Sequence, residues 1–281
     1  MSEDIPSTWF ITGASSGIGL ALTRATAGRG DNVVALARDV ASLGPLVDQH
    51  GTRVLALAVD VRRRADVDHA VSRAVEAFGR IDVVANNAGY GLWGAVEETT
   101  DEQARSVFDT NVFGVLNVLR ATLPVLRAQR AGHVLQGSSF YGRVAHPGVG
   151  LLAATKYAVE GLTDALVGEL APLGITVTLV EPGPTATAFG SNFDTAGTID
   201  DYDPSVRQAQ KAIGELPPDA FNTPDRVAAA IVAAVAAGRP PRRLVTGGYA
   251  VREIRAALRG QLDELEAWAA TAEAVDGVPA A

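Results

Sequence analysis

The stretch TWFITGASSGIG, residues 8–19, decides the fold. Its first five residues read as a buried strand, glycines at 13, 17 and 19 allow a tight turn, and a helix-period segment opens at Ile18. A strand passing through such a turn into a helix gathers free backbone N–H groups and the positive end of the helix dipole at one point. That arrangement suits the pyrophosphate of a dinucleotide. A plain strand–helix turn is the alternative reading of a glycine-rich loop alone. Gly13, Ser15, Ser16, Gly17, Ile18 and Gly19 are therefore the first candidate binding residues.

Outward from this point the alternation continues. Strand patterns fall at 33–37, 54–58, 83–86, 133–137, 176–181 and near 244–246, with helix-period segments at 18–29, 65–78, 101–130, 151–170 and 225–237. Near-continuous apolar strands joined by helices imply a parallel sheet covered on both faces. With right-handed crossovers this becomes an α/β, doubly wound, Rossmann-type sheet of about seven strands. The segment PGPTATAFGSNFDTAGTIDDYDP, residues 182–204, is rich in Gly, Pro, Thr and Asp and reads as irregular. A loop that long points to a substrate lid, over about 184–224. The tail, 249–271, carries Ile254, Leu258, Leu262, Leu265 and Trp268 on one helical face, read as packing on its own domain ahead of a partner helix. No repeat or linker divides the chain, so 1–281 is expected to be one domain.

Composition narrows the function classes. Of the 281 residues 47% are hydrophobic and 20% charged, the balance of a folded globule. A net charge of −8 disfavours nucleic acid and anionic membranes as partners. There is no cysteine, so disulfides and thiolate chemistry are excluded. The histidines (His50, His69, His133, His146) show no metal-ligand spacing, and no metal is expected. No basic region precedes an apolar run at the start, and no apolar run reaches membrane-spanning length. A cytoplasmic location is the expectation.

Further motifs follow the glycine loop in order: Asp60 and Val61 in VDV, Asn86-Asn87-Ala88-Gly89, Asn111 in DTNVFG, Ser139, Lys156 in ATK, and Pro182-Gly183 with Thr185 and Thr187. In this order and spacing, from about residue 8 to 190, the chain resembles the short-chain dehydrogenase/reductase family, in its single-domain branch. The resemblance implies hydride transfer between a nicotinamide and a carbonyl or alcohol carbon of a small-molecule substrate. It implies that Asp60 and Val61 lie at the adenine, Asn87, Ala88 and Gly89 along the cofactor, and Pro182, Gly183, Thr185 and Thr187 at the carboxamide. Ser139 would hold the substrate oxygen, Lys156 the nicotinamide ribose, and Asn111 a relay water. A homodimer or homotetramer through the 101–130 and 151–170 helices is a further implication.

The end of the second strand bears on cofactor choice. A carboxylate there accepts the ribose hydroxyls of NAD. Here VVALARD, residues 33–39, places neutral Ala37 and then Arg38, whose guanidinium can fork onto a 2′-phosphate. NADP(H) is therefore favoured over NAD(H), with a merely exposed arginine as the alternative. Arg62, Arg63 and Arg64 read chiefly as a solvated helix start.

One position breaks the pattern. Relatives carry a tyrosine four residues before the lysine as proton donor; this chain has Leu152 there. Ser139 lies 13 positions earlier, as in many relatives, so no register shift restores the phenol. Tyr141 on the serine loop and His146 before the lysine helix are possible replacements, as are water or the substrate itself. Tyr157 points away around the helix and reads as core, while Tyr90 and Trp93 line a pocket or cover the sheet edge. The first reading is an NADP(H)-dependent oxidoreductase reducing a carbonyl, or a conjugated double bond, of a medium-sized apolar metabolite. A non-redox isomerase, cyclase or lyase, a catalytically silent ligand binder, and an engineered substitution at 152 stand beside it.

Overall fold

β-Branched and apolar runs with few polar interruptions form the central sheet, because both of its faces are covered. In the computed structural model, residues 6–187, 193–275 and 277 are described. The strands are β1 (Thr8–Thr12), β2 (Asn32–Ala37), β3 (Val54–Ala58), β4 (Val83–Asn86), β6 (Gly132–Gly137), β7 (Ile175–Pro182) and β9 (Arg243–Thr246). They run in the order β3-β2-β1-β4-β6-β7-β9, with every neighbouring pair parallel. A two-stranded ribbon pairs β5 (Leu92–Trp93) with β8 (Asp194–Thr195). The expected doubly wound α/β architecture is present.

Helices α1 (Gly17–Gly28), α2 (Gly44–His50) and α8 (Pro224–Ala236) close one face, where Leu22, Leu46 and Ile231 join Trp9 and Ile11. Helices α3 (Arg64–Phe78), α4 (Asp101–Phe108), α5 (Gly114–Gln129) and α6 (Gly150–Leu170) accompany the other, where Val67, Leu119 and Val159 pack on Phe10 and Val84. The chain order reverses between β1 and β4. At such a switch point the loops leave the strand ends in opposite directions and open a crevice.

Four expectations need correction. The 101–130 segment is not one uniform helix: a π-turn, Asp109–Phe113, separates α4 from α5 and brings Asn111 into the interior. The lid is not irregular throughout, since β8, a second π-turn (Asp203–Arg207) and α7 (Gln208–Gly214) lie within it. Residues 188–192 of that stretch lie outside the described residues. Tyr157 is exposed rather than core, on a side of α6 where Ala154 and Gly161 are exposed as well. The terminal helix α9 (Gly248–Glu273) packs on the domain only at its start, through Ala250 and Ile254; its remaining apolar face stays open. Among the described residues no helix is long and apolar enough to cross a membrane, and no cluster of His, Asp and Glu could hold a metal.

Candidate active site

A cleft of about 630 Å³ opens at the switch point. Of the site residues expected from sequence, all line it except Gly19, Asn111 and His146. Those three stand behind or beside the wall.

The glycine loop is shaped by contact. A Cβ on Gly19 would fall 2.1 Å from the Gly13 carbonyl oxygen, so only glycine lets α1 start this close to β1. Thr12 fastens the next turn: its hydroxyl accepts from the N–H groups of Asn87 and Ala88, each at 3.0 Å, and donates to the Ala85 carbonyl. Asn87 returns bonds from its amide to the Thr12 and Gly13 carbonyls. The two loops thus form one rigid cradle, with Ser15 and Ser16 facing the cleft.

Arg38 follows buried Ala37 at the end of β2 and lines the cleft with Asp60. Arg62 grips the Asp60 carboxylate, with Nε 2.9 and 3.0 Å from its two oxygens. That contact chiefly holds the carboxyl below its ordinary range, and Arg38 adds to the effect. Arg63 and Arg64 pair with Asp66 and Asp68 on α3, so the solvated reading holds for them, while Arg62 is recruited to the cleft wall.

The chemical end is built from α6 and the β6 loop. Lys156 is buried, and its Nζ donates to the Gly137 carbonyl at 2.8 Å. Burial pulls its ammonium down to about 8, against the opposing charge of Glu160. Ser139 is extended; its Oγ accepts from Tyr141 N–H at 3.2 Å and donates weakly to the Pro182 carbonyl at 3.5 Å. The Asn111 side chain is fully used: Oδ1 accepts from Tyr90 N–H, and Nδ2 donates to the Tyr90 carbonyl and to Thr155 Oγ1. A Cβ on Gly89 would lie 3.0 Å from Asn111 Oδ1 and 3.7 Å from Lys156 Nζ, so a bare backbone here lets the two side chains approach.

Leu152 sits one turn before Lys156, only 2% exposed, in an apolar cluster with Trp93, Phe140, Tyr141 and Val149. Tyr141 lines the cleft, its ring 4.0 Å from that of Phe140. Burial pushes its phenol well above the ordinary range, and the nearby Tyr249 and Glu253 reinforce the shift. His146 lies edge-on to Tyr141 with its Nε2 3.5 Å from Glu253 Oε2, outside the cleft lining. Tyr90 and Trp93 both line the cleft.

Two features were not anticipated. Glu98, buried, accepts from Ala95 and Ile199 N–H and forms a two-pronged ion pair with Arg207 of the lid. The Arg207 guanidinium holds the Glu98 carboxyl down at about 2. Behind Pro182, Glu181 is fully buried beside Glu160, and Arg243 reaches both carboxylates. Burial, with the Glu160 charge, raises Glu181 to about 7. Tyr249, Phe193 and Ile213 also enter the lining, and no residue pattern marked them.

This fold and cleft define a doubly wound protein of the dinucleotide-binding class. Residues 7–196 match the family model of the short chain dehydrogenases, and the chain belongs to that family. It is 37% identical over 245 residues to oxidoreductase BOA17 of Botryotinia fuckeliana, covering 86% of this chain and 89% of that protein. A short-chain dehydrogenase structure from Streptomyces avermitilis superposes with a TM-score of 0.91 at 35% identity, covering 97% of this chain and 100% of the other. A short chain dehydrogenase/reductase from Burkholderia phymatum, solved in complex with NAD, gives a TM-score of 0.80 at 28% identity, over 95% and 97% of the two chains. Oxidoreductase chemistry is thus the family setting.

Proposed function

We propose that this chain is an NADP(H)-dependent oxidoreductase that reduces a carbonyl, or a conjugated double bond, on a medium-sized and largely apolar metabolite. The carrying observation is that Arg38, Ser139 and Lys156 line one cleft while Leu152 closes its wall where relatives carry a phenol. The Gly13–Gly19 loop, Arg38 and the Thr12-braced turn fit a phosphorylated dinucleotide, which when bound supplies the hydride.

Arg38 would take the 2′-phosphate by a charge-assisted fork. Lys156, mostly charged at neutral pH, would hold a ribose hydroxyl and set a positive potential near the reacting oxygen. Ser139 Oγ has only a weak bond to give up and can turn to a substrate oxygen. Asn111 ties the Tyr90 segment to α6 and so positions Lys156, leaving a relay water to backbone groups of the same turn. Tyr141 keeps its proton because of burial, so it is a donor in form but a reluctant one. Water or the substrate itself serves better, and a conjugated acceptor relaxes the demand further. Trp93, Phe193 and Ile213 give the apolar lining that suits such a substrate. A cytoplasmic enzyme assembling as a homodimer or homotetramer through α4–α5 and α6 goes with this reading. Phe113 and Tyr157, 54% and 42% exposed on those elements, support the assembly.

One observation favours a second reading. Leu152 seals the wall at 2% exposure, which suits an isomerase, cyclase or lyase that needs no acid there. Calorimetric titration with NADPH and NADH, then a panel of ketones and enones under NADPH, separates the two. Micromolar NADPH binding with consumption above background is expected. Binding without consumption moves the assignment to the second reading, and no nucleotide binding removes the first.

A further inference from the structure

Helix α9 leaves the domain as an arm. From Leu258 to Trp268 its apolar residues are 42% to 65% exposed, although they continue the stripe that Val251 and Ile254 begin on the body. At its root the stripe forms an apolar groove with Val245, lined by Val251, Ile254, Leu258 and Leu262. A stripe this long and open is costly in water unless something covers it.

Charge identifies the cover. The first half of the arm carries Arg252, Arg255 and Arg259 with Glu253 its one acid, and the second half Asp263, Glu264, Glu266 and Glu273. At ~100° per residue, Arg252, Arg255, Arg259, Asp263, Glu266 and Glu273 fall on the same flank of the stripe, within roughly 80°. A twofold axis perpendicular to the helix lays each flank against its own copy running the other way. With that axis near Leu262, Leu258 comes level to within about one residue with Leu265 of the partner subunit, Arg259 with Glu266 of the partner subunit, and Arg252 with Glu273 of the partner subunit. Asp263, near the axis, approaches its own copy and is the one like-charge contact. A parallel pairing sets this flank against the opposite one and loses the match. The acidic half and the chain's charge of −8 also repel an anionic lipid surface. We propose that α9 docks antiparallel on α9 of a second copy of this chain, a surface separate from α4–α5 and α6.

The chain lacks cysteine, which makes the test clean. Leu258→Cys and Leu265→Cys chains, mixed and oxidised, should give disulfide dimers. Leu258→Cys alone should not, because an antiparallel register keeps its two copies about 12 Å apart along the helix, too far for a disulfide. Leu262→Glu with Leu265→Glu should lower the solution mass by about twofold, one isologous contact being lost. Circular dichroism should be unchanged, because both sites are exposed, and melting should fall only by the share that association contributes. Dimers from Leu258→Cys alone, no dimers from the mixture, or an unchanged mass in the double glutamate variant overturns the proposal. Arm-dependent binding of the wild-type chain to phosphatidylcholine vesicles does so too, by assigning the face to a membrane.

Discussion

Replacing Leu152 by tyrosine puts the reading of the site to its most direct test. The new phenol would lie one turn before Lys156, with Cβ atoms about 6 Å apart. Lys156 titrates at about 8, so near pH 7 roughly nine-tenths of molecules carry the ammonium that draws a phenol's pKa down. The surroundings act the other way, since the same apolar cluster pushes Tyr141 up. A positioned general acid contributes about 10²–10⁴-fold. With the two influences opposed, the low end is expected: about 10² on simple ketones, near 3 kcal/mol of barrier. Overpacking costs about 1–3 kcal/mol of stability, softened because the position opens on the cleft. The assay is NADPH consumption with a ketone panel across pH, beside melting and NADPH titration. The gain should fade as pH rises through about 8 and Lys156 loses its proton. A variant that folds, binds NADPH and still turns over ketones within about threefold of the wild-type rate would refute the reasoning.

Other outcomes follow from single contacts. Arg38→Glu should weaken NADPH binding by about 10–100-fold, the worth of charged hydrogen bonds to a phosphate, while sparing NADH; equal losses for both nucleotides in calorimetry would remove Arg38 from the 2′ site. His133 is buried against Thr178 and depressed to about 4 from the usual 6.5. The unfolded chain therefore binds a proton that the folded one refuses between those values, and stability falls as pH drops through 6.5, by up to about 3 kcal/mol. Urea unfolding at pH 7 and pH 4.5 should show a smaller acid loss in His133→Gln than in wild type. Arg207→Met should free the lid from Glu98, so amide exchange across α7 quickens about tenfold while β1 and β4 keep their protection; identical exchange in α7 would show that the ion pair is no latch.

The strands were legible because the inner ones are buried on both faces and the edge strands β3 and β9 largely half-buried, so apolar residues dominate them. The site's framework was legible for a different reason: Gly19 answers to Gly13 within its own loop, and Thr12, although its partners Asn87 and Ala88 lie 75 and 76 positions away, joins motifs that recur in fixed order. What stayed hidden depends on distant partners. Glu98 and Arg207 are 109 positions apart, and each alone reads as a surface charge. Helix α2 opens on Gly44-Pro45, which reads as a turn although proline suits a first helical turn. The period of α9 was plain in the sequence, but a period names a face and not what covers it. Within 101–130 the helical pattern stands on both sides of Asp109–Phe113, and a π-turn adds its residue without leaving the helix, so nothing in the pattern marked it.

The small β5–β8 ribbon has a kinetic consequence. Leu92 and Trp93 follow the Asn87–Ala88 turn after Gly89, Tyr90 and Gly91, and they pair with Asp194 and Thr195 beyond the 184–187 segment. Whatever settles first into the turn therefore also sets the frame on which the other ligand's enclosure is hung. On the proposed NADP(H) reading, nucleotide should arrive before substrate and leave after product, and product-inhibition patterns of random binding would refute this order.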